Sequence, residues 1–495
     1  MKRRELFTLG AAAGAAALVS PVATAVPVKA PQKWDESYDV VIIGAGGAGL
    51  AAACEAVMNK LSAAVFEKEP TVGGSSVICG GQWAVGGTEE QAKRGIKDSE
   101  ELFVKDMMTT GQNQNDLEVV KAYVKETKAH YEWMTKELGV KPISVTLSGG
   151  MSVPRAHTFK PGEVIEAMRK YAVEGGAKVV LRTKAERLLW DHEKNRIAGV
   201  RVSRRGKVMN IEARKGVVLA AGGFSRNPQM LKKYAPLLEN AAVIAGLGTQ
   251  GDGILMAQAY GADMIDTNYI KASYGFTLKP STIKDMALTQ FKGAIVVNKN
   301  GKRFMDESIS YKTQADIAFA QPEGKSWIVF DDNIRKIAMK MDPMQDGILW
   351  KPIDEGKCPD YVFMGDTIEE AAEKAGLDPK TVAETVKNYN GYVDAGKDPE
   401  FGRSGLASGE GKLVRIEKAP FFIFPSVGAM IGTYCGVKIT PKAEVVDVFG
   451  EVIPNLYAAG EMTGGVHGAS YMTGTAFSKA MSFGRLAVRA IAQKK

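Results

Sequence analysis

Tyr38-Asp39-Val40-Val41-Ile42-Ile43 runs directly into Gly44-Ala45-Gly46-Gly47-Ala48-Gly49, and nothing else in the 495 residues restricts the fold as tightly. The short, apolar, β-branched run predicts a buried strand. Gly44 permits a tight turn, Gly46 lets the backbone approach a pyrophosphate, and Gly49 lets helix and strand pack closely. Leu50 to Ala56 reads as the helix that follows, with amide donors at its N-terminus for phosphates. A second strand, Ala63 to Phe66, ends at Glu67, which lies 18 positions after Gly49. That is near the ~20 expected for an acid that binds a ribose. Three glycines alone are a weak signal. Strand, glycines, helix, strand and acid in register make a strong one.

After Glu67 comes Lys68-Glu69-Pro70-Thr71-Val72-Gly73-Gly74-Ser75-Ser76, then Gly80-Gly81-Gln82. Simple nicotinamide enzymes have no evident use for this extension, whereas its glycines and hydroxyls can bring backbone donors to a flavin ring. Gly216 to Phe224 repeats the pattern of a strand and a glycine-rich turn, and Leu456-Tyr457-Ala458-Ala459-Gly460-Glu461 repeats that of a strand, a glycine and an acid. The ordered set is similar to FAD proteins. No second GxGxxG is present, so no separate NAD(P)H domain is expected.

The expected fold class is α/β: a Rossmann-like FAD-binding domain with an inserted α+β capping domain on the substrate side. Its expected boundaries are 36–266 and 432–495 for the FAD-binding parts and 267–431 for the insertion, where the glycine-rich rhythm is lost. Helical spacing marks Glu118 to Leu138 and 160–175, and short strands are expected near 178–190, 197–203 and 207–213. Asp394 to Gly411 is turn-rich and reads as a surface loop.

Residues 1–30 read as an address rather than as fold. Lys2-Arg3-Arg4 precedes an apolar stretch, Leu9 to Val19, and Ala23-Thr24-Ala25 has the form of a cleavage site. This resembles a twin-arginine export signal, so a periplasmic protein is expected, with no membrane span after cleavage. The net charge of +8 is mild for the length, and no basic block or recognition motif points to nucleic acid. The four Cys include no CxxC and only four His exist, which argues against a metal centre.

Taken together, these motifs resemble the flavoprotein superfamily of fumarate reductase and succinate dehydrogenase. The branch that looks nearest is that of soluble, exported flavocytochrome c-type reductases, here without a haem domain, with 3-oxosteroid dehydrogenases as cousins. The resemblance implies non-covalent FAD, because no His stands at Ser75 or Ser76. It implies cofactor contacts at Gly74, Ser75, Ser76, Gly81, Gly222, Asp252, Glu461, His467, Thr475 and Ala476, beside Gly44, Gly46, Gly49 and Glu67. It implies hydride transfer at flavin N5 to an activated C=C bond. Arg303, in Gly301-Lys302-Arg303-Phe304-Met305-Asp306-Glu307, is expected to donate the second proton, the other reading being a structural ion pair with Asp306 or Glu307.

The departures from that family concern the substrate. Its carboxylate-clamping histidines fall near Ser273 and Ile431, its clamping arginine falls at Tyr471, and its relay Glu and Arg fall near Ala287 and Gln290. An Arg–carboxylate pair is bidentate and charge-assisted, and a tyrosine is no substitute for a dianion. Fumarate and succinate are therefore disfavoured. Tyr471, with Thr473, Ser273, Tyr274 and Tyr434, suggests phenols that donate to a carbonyl oxygen and stabilise a developing enolate. Lys271 is either a carboxylate partner or solvated. The leading expectation is a reductase of an α,β-unsaturated carbonyl compound, fed by a periplasmic cytochrome c or quinol donor. A ketosteroid dehydrogenase and a non-catalytic flavin electron carrier are the alternatives.

Overall fold

The computed structural model describes residues 27–280, 282–342, 345–407 and 411–494. The export signal expected over 1–30 lies outside the described residues as far as position 26.

The apolar run forms β1 (Glu36–Ile43), the glycines lead into α1 (Gly47–Met58), and β2 (Ala63–Phe66) follows. β1 and β2 are parallel, with Val40 opposite Ala63 and Ile43 opposite Phe66. Two parallel strands need a crossover, and α1 supplies it. Further on, α2 (Leu117–Glu137) begins at Asp116, whose carboxylate accepts from the amides of Glu118 and Val119. β3 (Lys178–Val180) pairs in parallel with β2. β4 (Lys184–Asp191), β5 (Arg196–Arg204) and β6 (Lys207–Leu219) then make an antiparallel meander. Sequence reading placed one strand at 207–213 and another after Gly216. They are one strand, β6, with a shift of register against β1 between Ala213 and Gly216.

A second sheet is built from β7 (Ser273–Phe276), β8 (Ile295–Asn298), β9 (Ser326–Asp331) and β10 (Phe421–Met430), with α3 (Tyr311–Phe319) packed on it. β10 is its centre and pairs antiparallel with both β7 and β9, and β9 pairs antiparallel with β8. Ile328, Phe330, Phe422 and Phe424 are fully buried in it. This antiparallel sheet with helices is the α+β part that the sequence led one to expect. The stretch read as a surface loop from Asp394 behaves differently: Asp398 and Arg403 are only 5% and 1% exposed.

The chain returns to the first sheet through β11 (Val452–Ala458), parallel to the second half of β6. That half is thus flanked by β1 and β11, while its first half is flanked by β1 and β5. The last helix, α4 (Thr475–Gln493), lies against α1. The approach is close enough that a Cβ on Gly484 would sit 2.1 Å from the Ala48 carbonyl oxygen. Buried ion pairs fix the contact: Arg485 and Arg489 of α4 reach Glu55 of α1, and Arg489 also reaches Glu126 of α2.

Candidate active site

The turn from β1 into α1 is built for an anion. Gly44 has φ +101°, and a Cβ there would lie 2.4 Å from the Ala220 carbonyl oxygen at the end of β6. A Cβ on Gly49 would lie 1.8 Å from the Gly44 carbonyl oxygen, so helix and turn meet only because it is glycine. Gly46 is different: the nearest atom to its Cβ position is the Gly73 carbonyl oxygen at 3.9 Å, and open space borders it. No side chain caps α1. Ser76 Oγ accepts the Gly47 amide at 3.2 Å, but among the described residues no acceptor meets those of Ala48 and Gly49. Free amides at a helix N-terminus suit a pyrophosphate.

The second glycine-rich loop lies beside this turn. The Gly73 amide donates to the Ala45 carbonyl at 2.8 Å, and the Gly246 amide donates to Ser75 Oγ at 3.0 Å. A Cβ on Gly74 would have only Gly46 Cα, at 3.8 Å, within reach. Glu67 closes β2, buried, with the amides of Ala45 (2.7 Å) and Glu69 (2.8 Å) donating to its carboxylate. Asp252 opens a short helix and is paired with Lys68 and Lys184, so its carboxylate already has two cationic partners. Gly81, expected to face the cofactor, is required by something else: its Cβ would meet the Phe159 carbonyl oxygen at 2.1 Å. Gly222, with φ +76°, carries the turn after β6. The uncapped helix, the open glycine cradle and the acid at the end of β2 together fit the pyrophosphate and ribose of a dinucleotide.

Glu461 follows Gly460, whose Cβ position is 3.1 Å from Ala48 Cβ at the start of α1, while His467 and Thr475 meet each other and the Ala476 amide reaches the Tyr471 oxygen. Glu461 accepts the Thr433 amide at 2.9 Å, and burial raises the pKa of its carboxyl against the pull of that amide, the Gly223 amide and Lys479. The Val466–His467 loop is held by Asn115, whose side-chain amide donates to the Val466 carbonyl at 2.7 Å. His467 Nδ1 is 3.3 Å from Thr475 Oγ1. Burial, then Lys479 and Lys312, hold the imidazole well below its usual pKa, so it is neutral at neutral pH.

Next to His467 stands a cage of phenols. The ring centroids of Tyr434 and Tyr471 are 4.8 Å apart, and His467 packs edge-on at 5.5 Å from Tyr434 and 5.4 Å from Tyr471. Tyr311, at the start of α3, hydrogen-bonds Thr473. The Tyr471 oxygen accepts the Gly474 amide at 2.9 Å, which leaves its own proton free to donate. Tyr434 sits at φ +55°, a conformation that costs a bulky residue energy and that clusters at functional sites. Burial raises the pKa of all three phenols, so they remain neutral donors.

Two members of this group were missed in the sequence, Tyr311 and Lys312. Lys312 is 4% exposed. Its Nζ donates to Ser273 Oγ at 2.8 Å and lies 4.7 Å from the centre of the Tyr434 ring. Its spacing to Asp316 is the helical i,i+4 of a surface ion pair, which hides it. Instead Lys271 takes Asp316, at 3.1 Å, and Lys312 turns inward. Lys271 is thereby assigned an ion pair in the half-exposed rim.

Two expectations are corrected. Tyr274 does not join the cage, because side chains alternate across a strand. Ser273 faces Lys312, and Tyr274 points into the second sheet, fully buried, with its hydroxyl 2.7 Å from Ser326 Oγ. Arg303 is held as the structural reading supposed, in a cluster of its own. Its Nε donates to Glu307 Oε1 at 2.9 Å, and one Nη donates to Glu307 Oε2 at 2.7 Å and Asp398 Oδ2 at 2.9 Å. Arg403 completes the group at 3.2 Å from Glu307. The carboxylates outweigh burial and hold the Arg303 pKa above its usual value, the opposite of what a proton donor needs. Its other ring and ion contacts, to Tyr389, Phe401 and Glu400, also lie in this cluster and outside the cage.

Comparisons with known proteins agree on the cofactor. The family model of the FAD binding domain matches residues 39–476. A fumarate reductase (cytochrome) of Shewanella frigidimarina is 35% identical, over 91% of this chain and 76% of its own. A urocanate reductase of Eggerthella lenta is 30% identical, over 94% of this chain and 76% of its own. Among solved structures, the open conformation of a flavocytochrome c3 fumarate reductase superposes with a TM-score of 0.80 at 30% identity, covering 93% of this chain and 78% of that one. A 3-ketosteroid-Δ4-(5α)-dehydrogenase of Rhodococcus jostii shares the fold, with a TM-score of 0.75 at 24% identity over 95% of this chain and 100% of that one.

Proposed function

The chain belongs to the FAD-binding flavoproteins of the fumarate reductase and succinate dehydrogenase superfamily, and from that premise we propose that it reduces a C=C bond conjugated to a carbonyl group, with a cage of neutral phenols as the oxygen-binding device. It is an FAD-dependent oxidoreductase acting on C=C bonds. The observation that carries the finer reading is the convergence of Tyr434 and Tyr471 on His467 and Thr475, with Tyr311 close enough to both phenols to act on their charge.

The amides at the α1 terminus, the Gly73–Ser76 loop and Glu67 would hold FAD non-covalently, and that group would supply hydride chemistry at this site. The protein's own residues do the rest. A phenol with a free proton donates to the carbonyl oxygen and stabilises the enolate that forms when the β-carbon receives the hydride. The Tyr434 and Tyr471 faces pack against the apolar body of the substrate. The α-carbon then takes one proton, so the double bond gains one hydride and one proton. We place that proton among the phenols Tyr311 and Tyr434 instead of on Arg303, whose guanidinium is committed to Glu307 and Asp398.

The Lys2-Arg3-Arg4 segment supports export to the periplasm by the twin-arginine route, and a cytochrome c or quinol donor fits the company of a cytochrome-linked relative. The test is an anaerobic assay of FAD-loaded protein with reduced viologen dye, using aryl acrylates, urocanate, fumarate and 3-oxo-4-ene steroids. The expected result is saturated product from a monounsaturated carbonyl substrate, with Tyr471→Phe lowering turnover at least tenfold. Desaturation of an oxosteroid with a dye acceptor, and no reduction of any panel member, would refute the reading.

A further inference from the structure

Lys312 is the cation in this cage that lacks a carboxylate. Among the described residues no carboxylate oxygen lies within ion-pair distance of its Nζ, and its hydrogen bonds go to Ser273 Oγ at 2.8 Å and the Lys271 carbonyl at 3.5 Å. The charged and aromatic groups that face it among the described residues are few. Asp316 on the same helix attracts its charge but is bound to Lys271, which repels it. Tyr311, Tyr434 and Tyr471 present ring faces at 5.6, 4.7 and 5.9 Å. His467, beyond them, is neutral. The other buried lysine near the cage, Lys479, donates to the Thr463 carbonyl at 2.6 Å and is balanced by Asp266 and Glu461. An ammonium taken out of water without a counter-ion is costly unless a partner arrives.

We infer that Lys312 is the specificity-determining group of this site, and that it pairs with the single negative charge of an α,β-unsaturated monocarboxylate. One unpaired cation supports one carboxylate. The second carboxylate of a dianion would meet neutral phenols and a neutral imidazole. The Tyr434 and Tyr471 faces favour an apolar or aromatic substituent on the far carbon. This deepens the reading above and rests on it for the identity of the site. Burial and Lys271 bring the lysine down to about 7. Without a bound anion the lysine is therefore largely neutral at pH 8, and an arriving carboxylate draws a proton onto it.

The experiment is calorimetric titration of FAD-loaded protein at pH 8 in two buffers of different ionisation enthalpy. The ligands are 3-phenylpropionate, which has no double bond to reduce, and its neutral amide. The expected result is uptake of about 0.9 of a proton with the carboxylate and none with the amide. Lys312→Gln abolishes the uptake and weakens carboxylate binding at least tenfold, as expected for a charge-assisted bond, while amide binding changes less than threefold. Lys312→Arg keeps the carboxylate affinity but loses the uptake, because arginine is charged beforehand. Carboxylate binding without uptake, equal weakening of both ligands in Lys312→Gln, or no carboxylate binding at all overturns the inference. An enzyme that reduces only enones, with Lys312→Gln unaffected, overturns it and leaves the proposed reaction standing. Failure of every panel substrate while proton uptake is observed removes the reaction and leaves the anion site.

Discussion

Replacing Arg303 separates a structural cation from a proton donor. Arg303→Met removes three charge-assisted hydrogen bonds of 2.7–2.9 Å and leaves Asp398, fully buried at the side chain, with backbone amides alone and Glu307, equally buried, with one amide and the Arg403 guanidinium. Breaking a buried pair in this way costs about 3–5 kcal/mol. In thermal unfolding of the FAD-loaded protein this reads as a fall of roughly 3–10 °C, according to how much of the chain unfolds with the cluster. Turnover per folded, flavin-loaded molecule stays within about threefold, because the guanidinium touches no member of the phenol cage. A proton donor removed from the site would cost two to four orders of magnitude in turnover. Loss of turnover on that scale with an unchanged melting temperature refutes the placement of Arg303 and restores it to catalysis. The same cluster sets an acid limit. Burial alone would raise the Asp398 pKa, but Arg303 and the amides of Glu400 and Phe401 outweigh it and leave it lowered. A carboxylate lowered in the folded state contributes stability above its unfolded pKa of about 4 and loses that contribution as pH falls further. Arg303→Met should therefore flatten the loss of stability below about pH 4 relative to the parent protein.

Tyr274→Phe removes a buried hydroxyl from Ser326 and should cost about 1 kcal/mol of stability with kinetic constants within twofold. A tenfold rise in KM at unchanged stability would instead put Tyr274 at the substrate. Gly49→Ala forces a Cβ to 1.8 Å from a backbone carbonyl oxygen that has nowhere to go. Purified protein should carry well under half the parent flavin per chain by absorbance, and full flavin content would show that the turn yields.

What could be read in the sequence was what the backbone decides. Gly44 and Gly49 announce themselves because only glycine survives at 2.4 and 1.8 Å from a carbonyl oxygen, so residue type and position are one signal. β1, α1, β2 and the acid at Glu67 are neighbours in the chain, and local periodicity placed them. The second sheet was legible only as a change of rhythm, since its central strand, β10, pairs with β7 about 150 residues earlier. The cage was legible in part: Tyr434, Tyr471, Thr473 and Ser273 came from the resemblance of their segments to the family's, while Tyr311 and Lys312, on a helix far away in the chain, did not. Ser273 and Tyr274 are adjacent on a strand, and adjacent strand residues face opposite sides, so both could never have lined one site. Lys312 is the harder case. Its i,i+4 spacing to Asp316 is the ordinary mark of a solvated pair, and only the arrival of Lys271 from another element frees it. A charge is made functional here by the residue that takes its partner away. The specificity of this site therefore depends on Lys271 and Asp316, which touch no ligand: Asp316→Asn should release Lys271 from its ion pair, strip Lys312 of its one attracting charge, and move the onset of proton uptake to lower pH.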